Sequence, residues 1–199
     1  MERSDLSELH FISRVDNLGD ILRLGILSHE RAAAIPHLSF AMADVQAKRA
    51  TVRVPDGTRV GRPLHTYANL YIHGRNVTMY TRRTDHQEMC VVCVEPSVLD
   101  IPGAVITDGN AGSLAHTRYA ASPGGLAMLE KERVFTDDWT DPDPFTHKRQ
   151  RRLRCAEVLI PDLVPPTYFR SIRVSCEPTA GRVRASGTLL SNSLTYTPG

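Results

Sequence analysis

Strand-like runs recur along this chain without helices between them at regular intervals. That irregularity argues against a repeated βαβ array and for an α+β fold. The strongest run spans 88–95, around Met89-Cys90-Val91-Val92-Cys93-Val94. Others are predicted at 9–15, 64–72, 77–81, 105–107, 155–161 and 172–176. The first run leads into a helix with Asp16 as N-cap and with Leu18, Ile21 and Leu22 on one face. Gly25 closes that helix as a C′ glycine, with Ile26 folding back on it. Short helices are predicted near 41–49 and from Ser122-Pro123 to Leu129. Pro55-Asp56-Gly57 and Asp108-Gly109-Asn110-Ala111-Gly112 mark turns, and 135–144 reads as an Asp- and Pro-rich loop.

No internal repeat or linker divides the sequence, so residues 1–177 are predicted to form a single domain. Gly, Ser and Thr dominate from Pro178 onward, which predicts a poorly ordered tail over 178–199. The start of the chain carries no signal-peptide h-region, and no apolar stretch is long enough for a bilayer. The expected location is therefore cytoplasmic, with no membrane partner. The C-x-x-C at Cys90 and Cys93 lies within a strand, where positions i and i+3 face opposite sides. With no second pair at zinc spacing, the four cysteines read as reduced core residues and no metal is predicted.

Glu157 stands out on the 155–161 run, because a carboxylate on an apolar strand costs free energy unless something there needs it. Removing such an acid is expected to relieve a burial cost. Just before it, Lys148-Arg149-Gln150-Arg151-Arg152-Leu153-Arg154, read as a loop, carries five cations in seven residues. The formal net charge is only +2, so this local cluster, and not the global balance, suggests a polyanion. An ordinary surface glutamate beside a solvated loop or exposed helix face is the competing interpretation. His10 and Ser13 lie three apart on the first strand without the spacing of a catalytic pair. No nucleophile elbow, Walker A sequence or G-x-G-x-x-G is present, which disfavours serine hydrolase, P-loop and Rossmann chemistry.

Three segments together resemble the DarT family of DNA ADP-ribosyltransferase toxins. They are Leu9-His10-Phe11-Ile12-Ser13-Arg14-Val15-Asp16-Asn17-Leu18, Thr107-Asp108-Gly109-Asn110-Ala111-Gly112-Ser113 with Thr117-Arg118-Tyr119, and the basic segment running into Glu157. The order of His10-Phe11 is reversed relative to the aromatic-His pair frequent in that family. The resemblance implies an ADP-ribosyltransferase-like fold over 1–177, with two packed mixed β-sheets flanked by helices around an NAD cleft. It implies NAD-dependent transfer of ADP-ribose to a base in single-stranded DNA, without a metal, and a toxin–antitoxin setting with a macrodomain antitoxin. Glu157 and Arg49 are then the catalytic pair, with Arg49 meeting the NAD pyrophosphate or orienting the acceptor base. His10, Ser13, Asn17, Tyr71 and Met79, with Arg49, are the implied NAD contacts. Arg75, Lys148, Arg149, Arg151, Arg152 and Arg154 are the expected DNA contacts. The same fold acting on RNA or protein, or an inactive nucleic-acid-binding module, are the alternatives.

Overall fold

The computed structural model describes residues 1–113, 117–136, 138–185 and 194–196. β1 (Leu9–Arg14) leads into α1 (Leu18–Leu24) and β2 (Ile26–Leu27). Leu18 and Ile21 are the buried stripe of α1, as their spacing predicts. Gly25 ends the helix at φ 92°, and a Cβ there would run into the Val164 carbonyl. α2 (His29–Ala32) and α3 (Ala43–Ala50) precede a small hairpin, β3 (Arg53–Val54) and β4 (Arg62–Pro63). β5 (Tyr67–Tyr71), α4 (Val77–Thr81), β6 (Met89–Val94), β7 (Val105–Thr107) and β8 (Tyr119–Ala121) follow. Then come α5 (Lys131–Val134), α6 (Pro144–Leu153), β9 (Glu157–Pro161), β10 (Leu163–Val164) and β11 (Phe169–Val174). α7 (Glu177–Ala185) and β12 (Leu194–Tyr196) complete the order.

The strands assemble in the order β12-β11-β6-β1-β5-β9-β7-β8. All neighbours in this sheet are antiparallel except β11 and β12. The α+β class follows directly. In place of two separate sheets, the hydrogen bonding joins two halves through a single pair, His10 with Tyr71. β1 and β6 share six pairs and β5 and β9 share five, so the junction is where the sheet is least tied and opens. Apolar side chains of one face, among them Leu9, Leu70, Val92, Ile106 and Val158, form the main core. A smaller cluster of Val52, Val54, Leu64, Tyr67, Val105, Ala111 and Leu159 lies beneath α3 and the β3–β4 hairpin.

Four expectations are corrected. Residues Val77–Thr81 form α4 instead of a strand, because the Asn76 side chain accepts from Met79 N at 3.1 Å and caps a helical turn. The basic segment is the helix α6, not a loop: Asp143 is its N-cap and Pro144 its first residue. The helix expected from Ser122 to Leu129 is a short 3₁₀ helix, Gly124–Met128, and an α-helix begins only at Lys131. Residues 178–185 of the expected loose tail belong to α7, whose Ala180 and Val183 are fully buried in the main core. Residues 186–193 and 197–199 lie outside the described residues.

Cys90, Cys93 and Cys155 are buried free thiols. Burial pushes them up, Cys90 to about 12 and Cys93 and Cys155 to about 11, so they are protonated, unreactive core residues. Among the described residues no helix is long and apolar enough to cross a membrane.

Candidate active site

α3 is largely exposed, and Arg49 is its one buried residue. From there its guanidinium reaches the first residue of β9. Arg49 Nη2 lies 3.0 Å from Glu157 Oε2, and Nη1 lies 3.3 Å from Oε1. Only 1% of Glu157 and 8% of Arg49 is exposed, so the ion pair is enclosed and solvent does little to weaken it. Asn69 of β5 donates to Glu157 Oε2 at 2.6 Å, and Ala111 N donates to Oε1 at 3.3 Å. Each carboxylate oxygen therefore receives two donors, which fills the acceptor capacity of an ionised carboxylate. A ribose hydroxyl arriving at Glu157 must replace one of them.

Burial works against the Arg49 charge, but the adjacent Glu157 carboxylate outweighs it and holds the guanidinium above its ordinary pKa. Arg49 Nη1 also donates to Asn110 Oδ1 at 3.1 Å. This places Arg49 on the carboxylate. Its two terminal nitrogens fix the orientation of the Glu157 carboxylate.

The turn after β7 accounts for its own sequence. Glu157 N donates to Thr107 Oγ1 at 3.1 Å, and that hydroxyl donates to Gly109 O at 2.6 Å. A Cβ on Gly112 would lie 2.7 Å from Arg49 Cγ, and one on Gly109 would lie 2.7 Å from Arg152 Cγ. The two glycines are thus explained by side chains crossing close over the backbone. Asp108, 1% exposed, takes Arg118 Nε at 2.8 Å, Arg118 N at 2.9 Å and Arg152 Nη1 at 2.7 Å. Burial alone would raise its pKa, but these donors prevail and lower it. Tyr119 closes the turn by donating to Ala111 O at 2.6 Å, and burial, reinforced by the Glu157 charge, pushes its phenol up to about 12.

Tyr71 is the cross-strand partner of Glu157 and bonds Thr78 Oγ1 at 2.9 Å. Burial first, then the Glu157 charge, drives its phenol far above the ordinary value, so it stays neutral. The other expected NAD contacts separate into two places. Ser13 and Asn17 line a narrow cleft with Phe11, Ile21, Ile35 and His37. Asn17 both donates to Leu38 O at 2.6 Å and accepts from Leu38 N at 3.0 Å, which ties the segment before α3 across β1. His10 and Met79 instead line a larger cavity with Arg75.

The expected DNA contacts divide as well. Lys148, Arg149 and Arg151 are exposed on α6. Arg152 is committed to Asp108. Arg154 is 2% exposed, donates to the Arg75 carbonyl, and stacks 4.6 Å from the Trp139 ring centre. Neither offers its charge to a passing phosphate. Asn69 and Asn110 went unassigned in the sequence. Asn69 had a usable signal, since it lies two before Tyr71 on the same strand face. Glu8, His10 and Cys93 bring donor atoms within 4.8 Å of one another. Arg173 Nη2, 2.5 Å from Glu8 Oε1, already supplies a cation there.

Arg49 and Glu157 thus form a buried bidentate pair at the start of β9, one strand beyond the β1–β5 junction. The family model described as "ssDNA thymidine ADP-ribosyltransferase, DarT" matches residues 10–192. The chain belongs to this family. It is 29% identical over 188 residues to a DNA ADP-ribosyl transferase–DNA ADP-ribosyl glycohydrolase fusion protein of Thermosipho africanus, covering 89% of this chain and 45% of the fusion. The chain thus spans less than half the length of that relative. It is 28% identical over 175 residues to a DNA ADP-ribosyl transferase of Thermus sp., covering 83% of this chain and 80% of the relative. The structure of Thermus sp. 2.9 DarT in complex with ADP-ribosylated ssDNA superposes with a TM-score of 0.80 at 23% identity, covering 96% and 94% of the two chains. The same protein in complex with NAD+ gives 0.73 at 21% identity, covering 96% and 93%. These likenesses show the fold.

Proposed function

We propose that this chain transfers ADP-ribose from NAD to a base of single-stranded DNA, with thymidine the first acceptor to test. The observation that carries this is the enclosed Arg49–Glu157 pair, in a chain of the DarT family. Cleavage of the bond between ribose C1′ and nicotinamide develops positive charge on the sugar, as in glycoside cleavage. Glu157, held in place by Arg49, Asn69 and the Ala111 amide, faces that charge. Arg49 and Asn69 hold its two oxygens. Nicotinamide leaves with the bonding electron pair, a base nitrogen bonds to C1′, and the proton of that nitrogen passes to water. An unstacked base reaches C1′, which favours single strands. NAD, as substrate, is assigned to the cleft of Ser13 and Asn17. No metal is required by these residues.

The test is incubation with NAD and short oligonucleotides, followed by mass spectrometry. One added ADP-ribose per single strand, absent from RNA and protein acceptors, is the expected result. Modification confined to RNA or protein would redirect the assignment within the same fold, and binding without turnover would support an inactive module. The transferase–glycohydrolase fusion in Thermosipho africanus supports pairing this chain with a hydrolytic antitoxin of macrodomain type, in a cytoplasmic toxin–antitoxin system.

Lys148, Arg149 and Arg151 are assigned to the DNA backbone. Neutralising all three is expected to flatten the salt dependence of DNA affinity by roughly one unit of log–log slope for each phosphate no longer engaged. NAD affinity should not change. Equal slopes for wild type and variant, from titrations at two salt concentrations, would make α6 a solvated face only.

A further inference from the structure

The larger cavity has a volume of about 630 Å³, yet none of the transfer chemistry above uses it. Its floor is apolar, with Met79, Met89 and Val91, and Arg75 and Arg83 stand at its walls. His10 also lines it and is only 8% exposed, and its Nδ1 is buried without a hydrogen-bond partner. The other ring nitrogen, Nε2, bonds Glu8 Oε1 at 3.1 Å, so Nδ1 is the ring atom left for a ligand or a water. Gly74 keeps the ring accessible, since a Cβ there would lie 2.9 Å from His10 Cδ2.

Two further observations define the ligand. First, His10 pairs with Tyr71 across the sheet junction, and Tyr71 pairs with Glu157. The three side chains share one sheet face, so His10 lies two strand spacings, ~10 Å, from the acid. Second, Arg83, which lines the cavity, begins a row of aromatic and cationic groups leading away from it. Arg83 lies over the Tyr80 ring at 4.5 Å, Tyr80 meets Trp139 edge-on at 5.6 Å, and Arg154 covers Trp139. Tyr80 is 54% exposed, an aromatic face open to a stacking partner. Alternating aromatic and guanidinium groups beside cationic walls are the chemistry that holds unstacked nucleotides.

We propose that this cavity receives a nucleotide flanking the acceptor in the single-stranded substrate. Its base enters against Met79, Met89 and Val91 and meets His10 Nδ1, and its phosphate lies between Arg75 and Arg83. The assignment rests on the transferase reading for its substrate. It makes the cavity the determinant of sequence context, while α6 holds the backbone without regard to sequence.

The experiment measures binding of a fluorescent short single-stranded oligonucleotide without NAD. Abasic sites are placed in turn on each side of a central thymidine. Wild type is expected to bind roughly tenfold more weakly when one particular flanking base is missing. Val91→Phe, which fills the floor, should bind the intact strand as weakly and ignore the abasic site, with NAD affinity retained. Arg83→Ala, at an exposed position, covers the case in which Val91→Phe does not fold; it should lose strand affinity while keeping NAD affinity. Wild-type binding indifferent to every flanking base, or wild-type behaviour of both variants, would overturn the assignment. Base-dependent binding by a wild type that transfers nothing would overturn the transferase reading and leave the cavity assignment in place.

Discussion

Glu157→Gln is expected to lose transfer on the order of a hundredfold or more while remaining folded. The glutamine keeps a side chain of the same length between Arg49 and Asn69, so the shape is filled and no cavity opens. The charge facing the ribose is gone, however, and buried Arg49 loses its counter-charge, a cost that lowers the stability of this variant too. Glu157→Ala is the less informative variant. The sequence suggested that deleting this acid would relieve a burial cost. The structure reverses that expectation, because Arg49 is itself buried and its guanidinium is matched by Glu157. Removing the carboxylate leaves a charge in the interior and costs about 3–5 kcal/mol. Single-turnover assays alongside thermal unfolding separate the two effects. A glutamine variant with wild-type turnover would take Glu157 out of the chemistry, and one that unfolds would make its role structural.

How much of this was legible depended on the range of the interaction that specifies each feature. Glu157 could be picked out because an acid among Ala156, Val158, Leu159 and Ile160 is anomalous within its own strand. Arg49 could not be separated from Lys48 by any local property; only the resemblance pointed to it. Its partner lies 108 residues away, and which cation meets the acid is decided by how α3 docks. The misread elements share a cause. Val77, Thr78, Tyr80 and Thr81 have strand propensity, but one cap bond at Asn76 decides a single turn of helix. Asp143-Pro144 was a usable start signal for α6, hidden by the Asp- and Pro-rich composition before it. In α7, Pro178 is tolerated in the first turn, and Ala180 and Val183 secure the helix by burial that composition does not reveal.

The basic segment shows how a charge cluster overstates its function when read along the chain alone. A helix distributes its residues around an axis, so five cations cannot face one ligand. Arg152 and Arg154 turn inward, one to Asp108 and the other to a backbone carbonyl and Trp139. These two tie the end of α6 to the turn that carries Ala111 and to the loop before α4. Of the exposed three, Arg149 meets Glu130 at 3.3 Å on the surface, where solvent weakens the pair, and all three lie within reach of phosphate.

Asp108→Asn is the second large effect expected, on stability first and on transfer through it. Asp108 is fully enclosed and accepts from two guanidinium groups and a backbone amide. An asparagine can accept some of these bonds but leaves Arg152, only partly exposed, without its counter-charge. Arg118 is largely solvated, so its share is small. The expected loss is about 2–4 kcal/mol, or a fall in Tm on the order of 10 °C. The pH dependence gives the effect a signature. The Asp108 pKa is lowered on folding, so its contribution is complete above the unfolded value near ~3.9. That contribution is lost as pH falls through the lower, folded value. Wild type and Asp108→Asn should therefore differ most near neutral pH and converge in acid below about pH 4. Because Asp108 adjoins the backbone that carries Asn110 and Ala111, transfer should fall even where the variant is folded. Urea unfolding across pH measures the stability difference directly. A gap that stayed constant into acid would mean that the pair stabilises through shape and not through charge.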